Sequence, residues 1–121
     1  DMFGIKRPFK KEELSFIFVQ DKFRIPFIDK FIDVIHTPGH TEGSVCYLYD
    51  NKLYSGDTLF KESIGRTDFP GGNSKKMRDS IIKLFKLVND ETKVYPGHDE
   101  QTDIKHEKKY NAYYQKFTKL K

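Results

Sequence analysis

Three stretches of β-prone residues each run into a glycine followed at once by a side chain able to bind a metal: Ile35-His36-Thr37-Pro38-Gly39-His40, Leu53-Tyr54-Ser55-Gly56-Asp57 and Val94-Tyr95-Pro96-Gly97-His98. Glycine turns the backbone at a strand end through conformations other residues avoid, and its missing side chain leaves room for an ion and its water. Two imidazoles and one carboxylate are borderline to hard donors, suited to zinc, iron or manganese rather than to copper(I). A carboxylate has two oxygens and is able to bridge two cations, so Asp57 is the natural central member of a two-metal centre. A catalytic zinc takes three protein ligands besides its water, and a two-metal centre needs more. His40, Asp57 and His98 therefore read as part of a larger ligand set.

Each of the three has a plainer alternative: a polar turn residue for His40, a turn cap working with Thr58 for Asp57, an exposed loop residue for His98. Repetition of the same arrangement favours the ligand reading. Asp99 and Glu100 follow His98 directly and are expected to serve as acceptors that orient its ring. His36 and His106 receive no role, the first lying in a strand and the second on the solvated side of a charged helix.

The elements that must position these residues are legible from about residue 31 onward. Residues 31–35 are mostly apolar and β-branched and end at Thr37-Pro38-Gly39; residues 44–49 and 52–55 read as two further strands around an Asp50-Asn51 hairpin turn. Residues 65–73, with Pro70-Gly71-Gly72, form a long loop of the kind that often carries function. After a cap at Asn73 or Ser74, residues Met77, Ile81, Ile82, Leu84, Phe85 and Val88 recur at helical spacing and predict one buried stripe. A strand over 92–95 leads into Gly97-His98, and a last helix capped by Asp103 is expected to place Tyr110, Tyr113, Tyr114, Phe117 and Leu120 on one side. The first thirty residues read as a connector with a proline break (6–13) and short edge strands at 15–19 and 24–28. Residues 1–30 are thus a connector with edge strands, and 31–121 one α/β unit.

Composition bounds the function. With 121 residues, 36% of them hydrophobic, the chain is one domain or less; its 11 Phe and 7 Tyr supply considerable aromatic surface to bury. A net charge of +4 is a mild bias, and no aromatic-basic recognition motif accompanies it, so nucleic acid is not an expected partner. The single Cys46 excludes an internal disulfide framework and reads as a buried apolar residue of a reducing compartment, hence a cytoplasmic protein. No run is long enough to cross a bilayer and no signal-peptide pattern is present, so no membrane role is expected.

Four ordered motifs carry a resemblance: Thr37-Pro38-Gly39-His40-Thr41-Glu42-Gly43-Ser44, Ser55-Gly56-Asp57-Thr58-Leu59-Phe60, Ile64-Gly65-Arg66-Thr67-Asp68-Phe69-Pro70-Gly71-Gly72 and Val94-Tyr95-Pro96-Gly97-His98. Over residues 31–111, with a further hint at Met2-Phe3-Gly4, the chain resembles the metallo-β-lactamase superfamily, and within it the small glyoxalase-II-like hydrolases related to hydroxyacylglutathione hydrolase. The family's His-x-His-x-Asp-His segment does not occur in these 121 residues. The resemblance is therefore to a C-terminal half of the fold, an α/β sandwich of two mixed sheets flanked by helices. It implies that His40 joins two histidines of that segment on a first metal, that Asp57 bridges, and that His98 completes the second metal with the segment's Asp and last His.

The implied activity is hydrolysis of a small thioester or ester at a centre of two zinc ions, with iron or manganese as alternatives, Asp57 being the catalytic bridge. Arg66 is placed by resemblance near the substrate mouth, where a guanidinium binds a carboxylate in fork geometry; a structural pair with Asp68 is the competing reading. The Gly65-to-Phe69 segment also resembles a branch of iron-dependent persulfide dioxygenases. A third possibility is a half that turns over nothing alone. Because half a sandwich leaves one sheet face open, the expected partners are a second copy in a homodimer or the missing N-terminal half.

Overall fold

The computed structural model describes residues 18–19 and 22–119. The elements are β1 (Phe18–Val19), β2 (Lys22–Phe27), β3 (Lys30–His36), β4 (Val45–Tyr49), β5 (Lys52–Gly56), β6 (Leu59–Phe60), β7 (Ser63–Ile64), α1 (Ser74–Leu87), β8 (Lys93–Pro96), β9 (Thr102–Asp103), α2 (Ile104–Tyr110) and α3 (Ala112–Lys119). The expected connector at 6–13, the motif hint at 2–4, the start of the first edge strand at 15–17 and Leu120 lie outside the described residues.

Seven strands form one mixed sheet in the order β1-β2-β3-β4-β5-β8-β9, and β6 with β7 makes a separate hairpin. β2 to β5 run as an antiparallel meander, its β4–β5 turn made by Asp50 and Asn51 with φ of 51° and 58°, the left-handed pair that a two-residue hairpin requires. Pro26 sits in β2 opposite Phe31, beyond the two-residue pairing with β1, so its missing N–H leaves no described ladder bond unmade. β8 pairs β5 in parallel. Because β3 and β5 are each antiparallel to β4, these two strands point the same way, and β8 points with them. The C-terminal ends of β3, β5 and β8 are therefore at one end of the sheet, and each is an end that runs into glycine and then His40, Asp57 or His98.

The core lies between one sheet face and the helices. Asn73 caps α1 by accepting from the Lys76 N–H at 2.9 Å, and the helix buries Met77, Ile81, Leu84 and Phe85 against Ile35, Cys46, Leu53 and Val94. Each such side chain contributes about 1.5–3 kcal/mol relative to exposure. Cys46 is wholly buried, its thiol pushed up to about 11 by desolvation, so it is a core atom and not a nucleophile.

The C-terminal aromatic stripe is not one helix, as the spacing suggests. Asp103 caps α2 by accepting from His106 N, but the helix ends at Tyr110 and a second begins after the buried Asn111, whose Oδ1 accepts from the N–H groups of Tyr113 and Tyr114. The break rotates Tyr110 and Tyr113 to solvent and leaves Tyr114 and Phe117 on the core, Tyr114 stacked on Phe85 at 4.3 Å. A buried amide capping a new helix overrides the apolar period.

The other sheet face is aromatic. Val34, Tyr47, Tyr54 and Tyr95 stand in register across β3, β4, β5 and β8, with Tyr54 stacked on Tyr95 at 5.5 Å and 42% exposed. Phe27 meets Tyr49 edge-on at 5.7 Å and is also exposed, while Ile25 and Ile32 toward β2 are buried.

Candidate metal centre

Each of the three strand ends is anchored by backbone hydrogen bonds before its chemical residue appears. After β3, Thr37 N donates to Ser44 O at 2.8 Å, and Asn73 N donates to Gly39 O at 2.8 Å, tying the loop to the start of α1. Gly39 has φ +148° and lies so close to the Met77 backbone that a β-carbon would not fit. After β5, Thr58 N closes a tight turn on Ser55 O at 2.9 Å around Gly56-Asp57. After β8, Gly97 N donates to Gly56 O at 2.9 Å, which continues the parallel pairing to the residue before His98. Gly65 N donates to Thr58 O, and its α-carbon is pressed on Asp57, so that a β-carbon would overlap the Asp57 carbonyl.

The three predicted residues come together around Asp57. His40 Nε2 lies 3.5 Å from Asp57 Oδ2, and His98 Nε2 lies 3.1 Å from Asp57 Oδ1. Each carboxylate oxygen thus faces a different imidazole. His40 Nδ1 is 2.9 Å from the Arg66 carbonyl, and since a carbonyl only accepts, Nδ1 is the donor of that bond and Nε2 is the nitrogen that faces Asp57. Phe69 meets the His40 ring edge-on at 5.0 Å, and Phe60 stacks on the His98 ring at 4.9 Å. The side chain of His40 is 22% exposed and that of His98 69%. One imidazole is set into the protein; the other stands at its surface, held by one aromatic face.

The donor set suits a divalent zinc, iron or manganese ion, with one tautomer fixed by a carbonyl as metal-binding histidines usually are. Among the described residues, however, no three His, Cys, Asp or Glu side chains are gathered into a set that would hold an ion by itself. The arrangement has the character of one wall of a centre.

Other expectations shift. Glu100 pairs with Lys61 at 3.1 Å, and Asp99 Oδ2 is 3.7 Å from His98 Nδ1, too far for a hydrogen bond, so neither acid orients that ring as expected. The Arg66 guanidinium is exposed and pairs with Asp68 at 3.0 and 3.3 Å, which raises the pKa of Arg66 and lowers that of Asp68. Its backbone, not its side chain, touches the site. His36 lies exposed against the Glu42 carbonyl, and His106, expected on a solvated helix face, is bonded to Glu62 at 2.9 Å. Phe60, Phe69 and the Arg66 carbonyl were absent from the predicted set. Phe60 had a faint signal, an aromatic three residues beyond Asp57; a carbonyl aimed at an imidazole has none.

Comparison with known proteins bears on this arrangement. The chain is 43% identical over 74 residues to a probable metallo-hydrolase of Methanocaldococcus jannaschii, covering 60% of this chain and 36% of that protein. It is 42% identical over 62 residues to a probable polyketide biosynthesis zinc-dependent hydrolase of Bacillus subtilis, covering 51% and 28%. Among solved structures, one protein in a di-iron-bound form superposes with a TM-score of 0.64 at 39% identity, over 68% of this chain and 42% of that one. The ETHE1 protein of Myxococcus xanthus superposes with a TM-score of 0.68 at 35% identity, over 80% and 49%. The chain therefore spans less than half the length of these relatives. The model of the metallo-beta-lactamase superfamily matches residues 7–98, a span that holds all three strand ends with His40, Asp57 and His98, and the mixed sheet with its helices has the corresponding fold: this chain belongs to the metallo-beta-lactamase superfamily.

Proposed function

We propose that this chain supplies one wall of a metal-dependent hydrolase of the glyoxalase-II-like kind, acting on small thioesters or esters. The observation that carries the reading is the splitting of Asp57 between two imidazoles, one oxygen to each, at the shared end of three co-directional strands. His40, Asp57 and His98 would hold zinc, with iron or manganese as alternatives, and the remaining ligands would come from outside the described residues. Bound there, such ions supply a low-pKa water and polarise the scissile carbonyl. The chain's own residues then have defined tasks. The Arg66 carbonyl would hold the His40 ring through Nδ1–H and leave Nε2 turned to the ion, and Phe60 and Phe69 would hold the two rings in their planes. The Arg66 guanidinium would exchange Asp68 for a substrate carboxylate, a swap between two solvated partners that costs little.

The test is thioester cleavage with added zinc. The purified chain alone is expected to bind zinc weakly and to show only background turnover, because an incomplete ligand set lowers metal affinity and does not activate the water. Mixed with the remaining portion of the M. jannaschii relative, it should gain turnover that disappears with Asp57→Ala. Cleavage by the chain alone at the rate of a full-length relative would refute the incomplete-centre reading. Iron retained on purification, with oxygen uptake in place of hydrolysis, would move the assignment to the dioxygenase reading suggested by the Gly65-to-Phe69 segment. No metal and no turnover in either preparation would leave a half with no catalytic role.

Association belongs to the same proposal. Tyr54 and Tyr95 stack on the sheet face away from the helices with Tyr54 42% exposed, and exposed aromatic surface on a sheet recruits partners. A second copy of this chain or the remaining, N-terminal portion of the fold would cover it. Light scattering at micromolar concentration is expected to show a dimer or larger species that Tyr54→Lys disrupts; a non-associating monomer with cooperative unfolding would count against it. No helix among the described residues is long and apolar enough to cross a membrane. We place the protein in the cytoplasm, with a small-molecule substrate and no nucleic-acid partner.

A further inference from the structure

Glu107, in the first turn of α2, is a carboxylate with no solvent exposure and no place in the ligand set. Its Oε1 accepts from the backbone N–H of Glu62 at 2.8 Å and from Asn111 Nδ2 at 2.8 Å, and its Oε2 accepts from the Thr102 hydroxyl at 2.7 Å. Glu62 and Thr102 belong to two segments that flank the site, and Asn111 follows α2. Glu62, with φ +59°, turns the β6–β7 hairpin, which is the stretch of chain between Asp57 and Gly65; Asn111 also donates to Ser63 O in the same hairpin at 3.2 Å. Thr102 opens β9, four residues after His98.

The hairpin is in turn bonded to the His98 loop. Phe60 stacks on the His98 ring, Lys61 pairs with Glu100, and Glu62 Oε2 meets His106 Nε2 at 2.9 Å on α2. We infer that Glu107 is a positioning residue for the metal centre: it clasps the segment after Asp57 to the segment after His98 and so fixes the position of the His98 ring relative to the Asp57 carboxylate. A carboxylate suits the task because it accepts only, and three inward-pointing donors from three elements must be satisfied at one place away from water. Removing it leaves those donors unpaired together, and the turn at Glu62 can recover a partner only by opening to water. That movement carries Phe60 away from His98. The consequence for metal affinity rests on the ligand reading above; the geometric consequence does not.

The experiment compares the wild-type chain with E107A, E107Q and T102V. In the metal-free proteins, the readout is the nuclear Overhauser contact between the Phe60 and His98 rings; with zinc titrated in, it is zinc affinity. E107A is expected to lose the ring contact and to weaken zinc binding by about 10- to 100-fold, the range seen when outer partners of metal ligands are removed. E107Q retains an acceptor oxygen for Glu62 and Asn111 and presents an amide that the Thr102 hydroxyl turns to accept, so it should keep the contact and stay within about twofold of wild type. T102V should fall between. Should E107A not fold, a weakened ring contact in T102V with E107Q intact supports the inference, and an unchanged contact in T102V overturns it. A folded E107A that keeps both the ring contact and the zinc affinity also overturns it, as does an E107Q that loses the contact as completely as E107A. A role confined to stability would lower the unfolding midpoint and leave the ring contact in place. If the wild-type chain binds no zinc, the metal reading fails, and the ring contact alone still decides the positioning role.

Discussion

Asp57→Ala should weaken zinc binding by roughly 100-fold and uncouple the two histidines. The magnitude follows from sharing the about 10–16 kcal/mol of a four-ligand structural zinc site among its ligands, about 3 kcal/mol for each, where 1.4 kcal/mol is tenfold. The uncoupling follows from geometry, since His40 and His98 each face a different Asp57 oxygen and the carboxylate is the group that both approach. In the wild-type chain, the imidazole resonances of His40 and His98 are expected to move together during a zinc titration, and in the variant neither should move at the same zinc concentration. If both still shift with wild-type affinity, Asp57 is not shared between them and its place is that of a turn residue. The choice of alanine over asparagine removes both oxygens; an amide would leave one.

Gly65→Ala should be the most destabilising single methyl in the described residues around the site. The added carbon would overlap the Asp57 carbonyl and approach the His40 β-carbon at 3.4 Å, and the backbone there is pinned by the Gly65-to-Thr58 bond, so no side-chain rotation relieves it. Backbone displacement of this kind costs about 3 kcal/mol, which for a chain of this size lowers the melting temperature by roughly 10 °C. Thermal unfolding followed by circular dichroism measures it. A midpoint within about 2 °C of wild type would mean that the loop after β7 moves freely and does not brace Asp57. Gly71→Ala is the comparison: with no atom near the position, its effect comes from the backbone conformation at φ +91° alone and should be smaller.

Much of the candidate site is legible in the sequence because its information is local. A strand that ends in glycine and then His or Asp is a statement about four or five consecutive residues, and the strand, turn and ligand assignments at His40, Asp57 and His98 all rest on such statements. The Asp50-Asn51 turn, the Asn73 cap and the 77-81-84-85 stripe are local in the same sense, set by dihedral preference, capping chemistry and helical period. Local reasoning failed where a distant group intervened. The last helix broke because Asn111 is buried beside Glu107 and the Ser63 carbonyl, contacts of which the aromatic spacing holds no trace. The two-residue strands β6, β7 and β9 are too short to show a period and exist because their partners are in place.

What the sequence by itself determined is the inventory: which residues carry donor atoms, which strand ends present them, and that three such residues are fewer than a two-metal centre needs. What only the tertiary structure decided is that the three ends coincide, that Asp57 divides its oxygens between two rings, that the Arg66 carbonyl rather than its guanidinium meets His40, and that Glu107 joins the two flanks from behind. The physical reason is strand direction. Two antiparallel steps through β4 and one parallel step to β8 bring three C-terminal ends to the same end of the sheet, and direction is a property of how strands pair, which residues 17 to 58 positions apart cannot declare until they are hydrogen-bonded in one sheet.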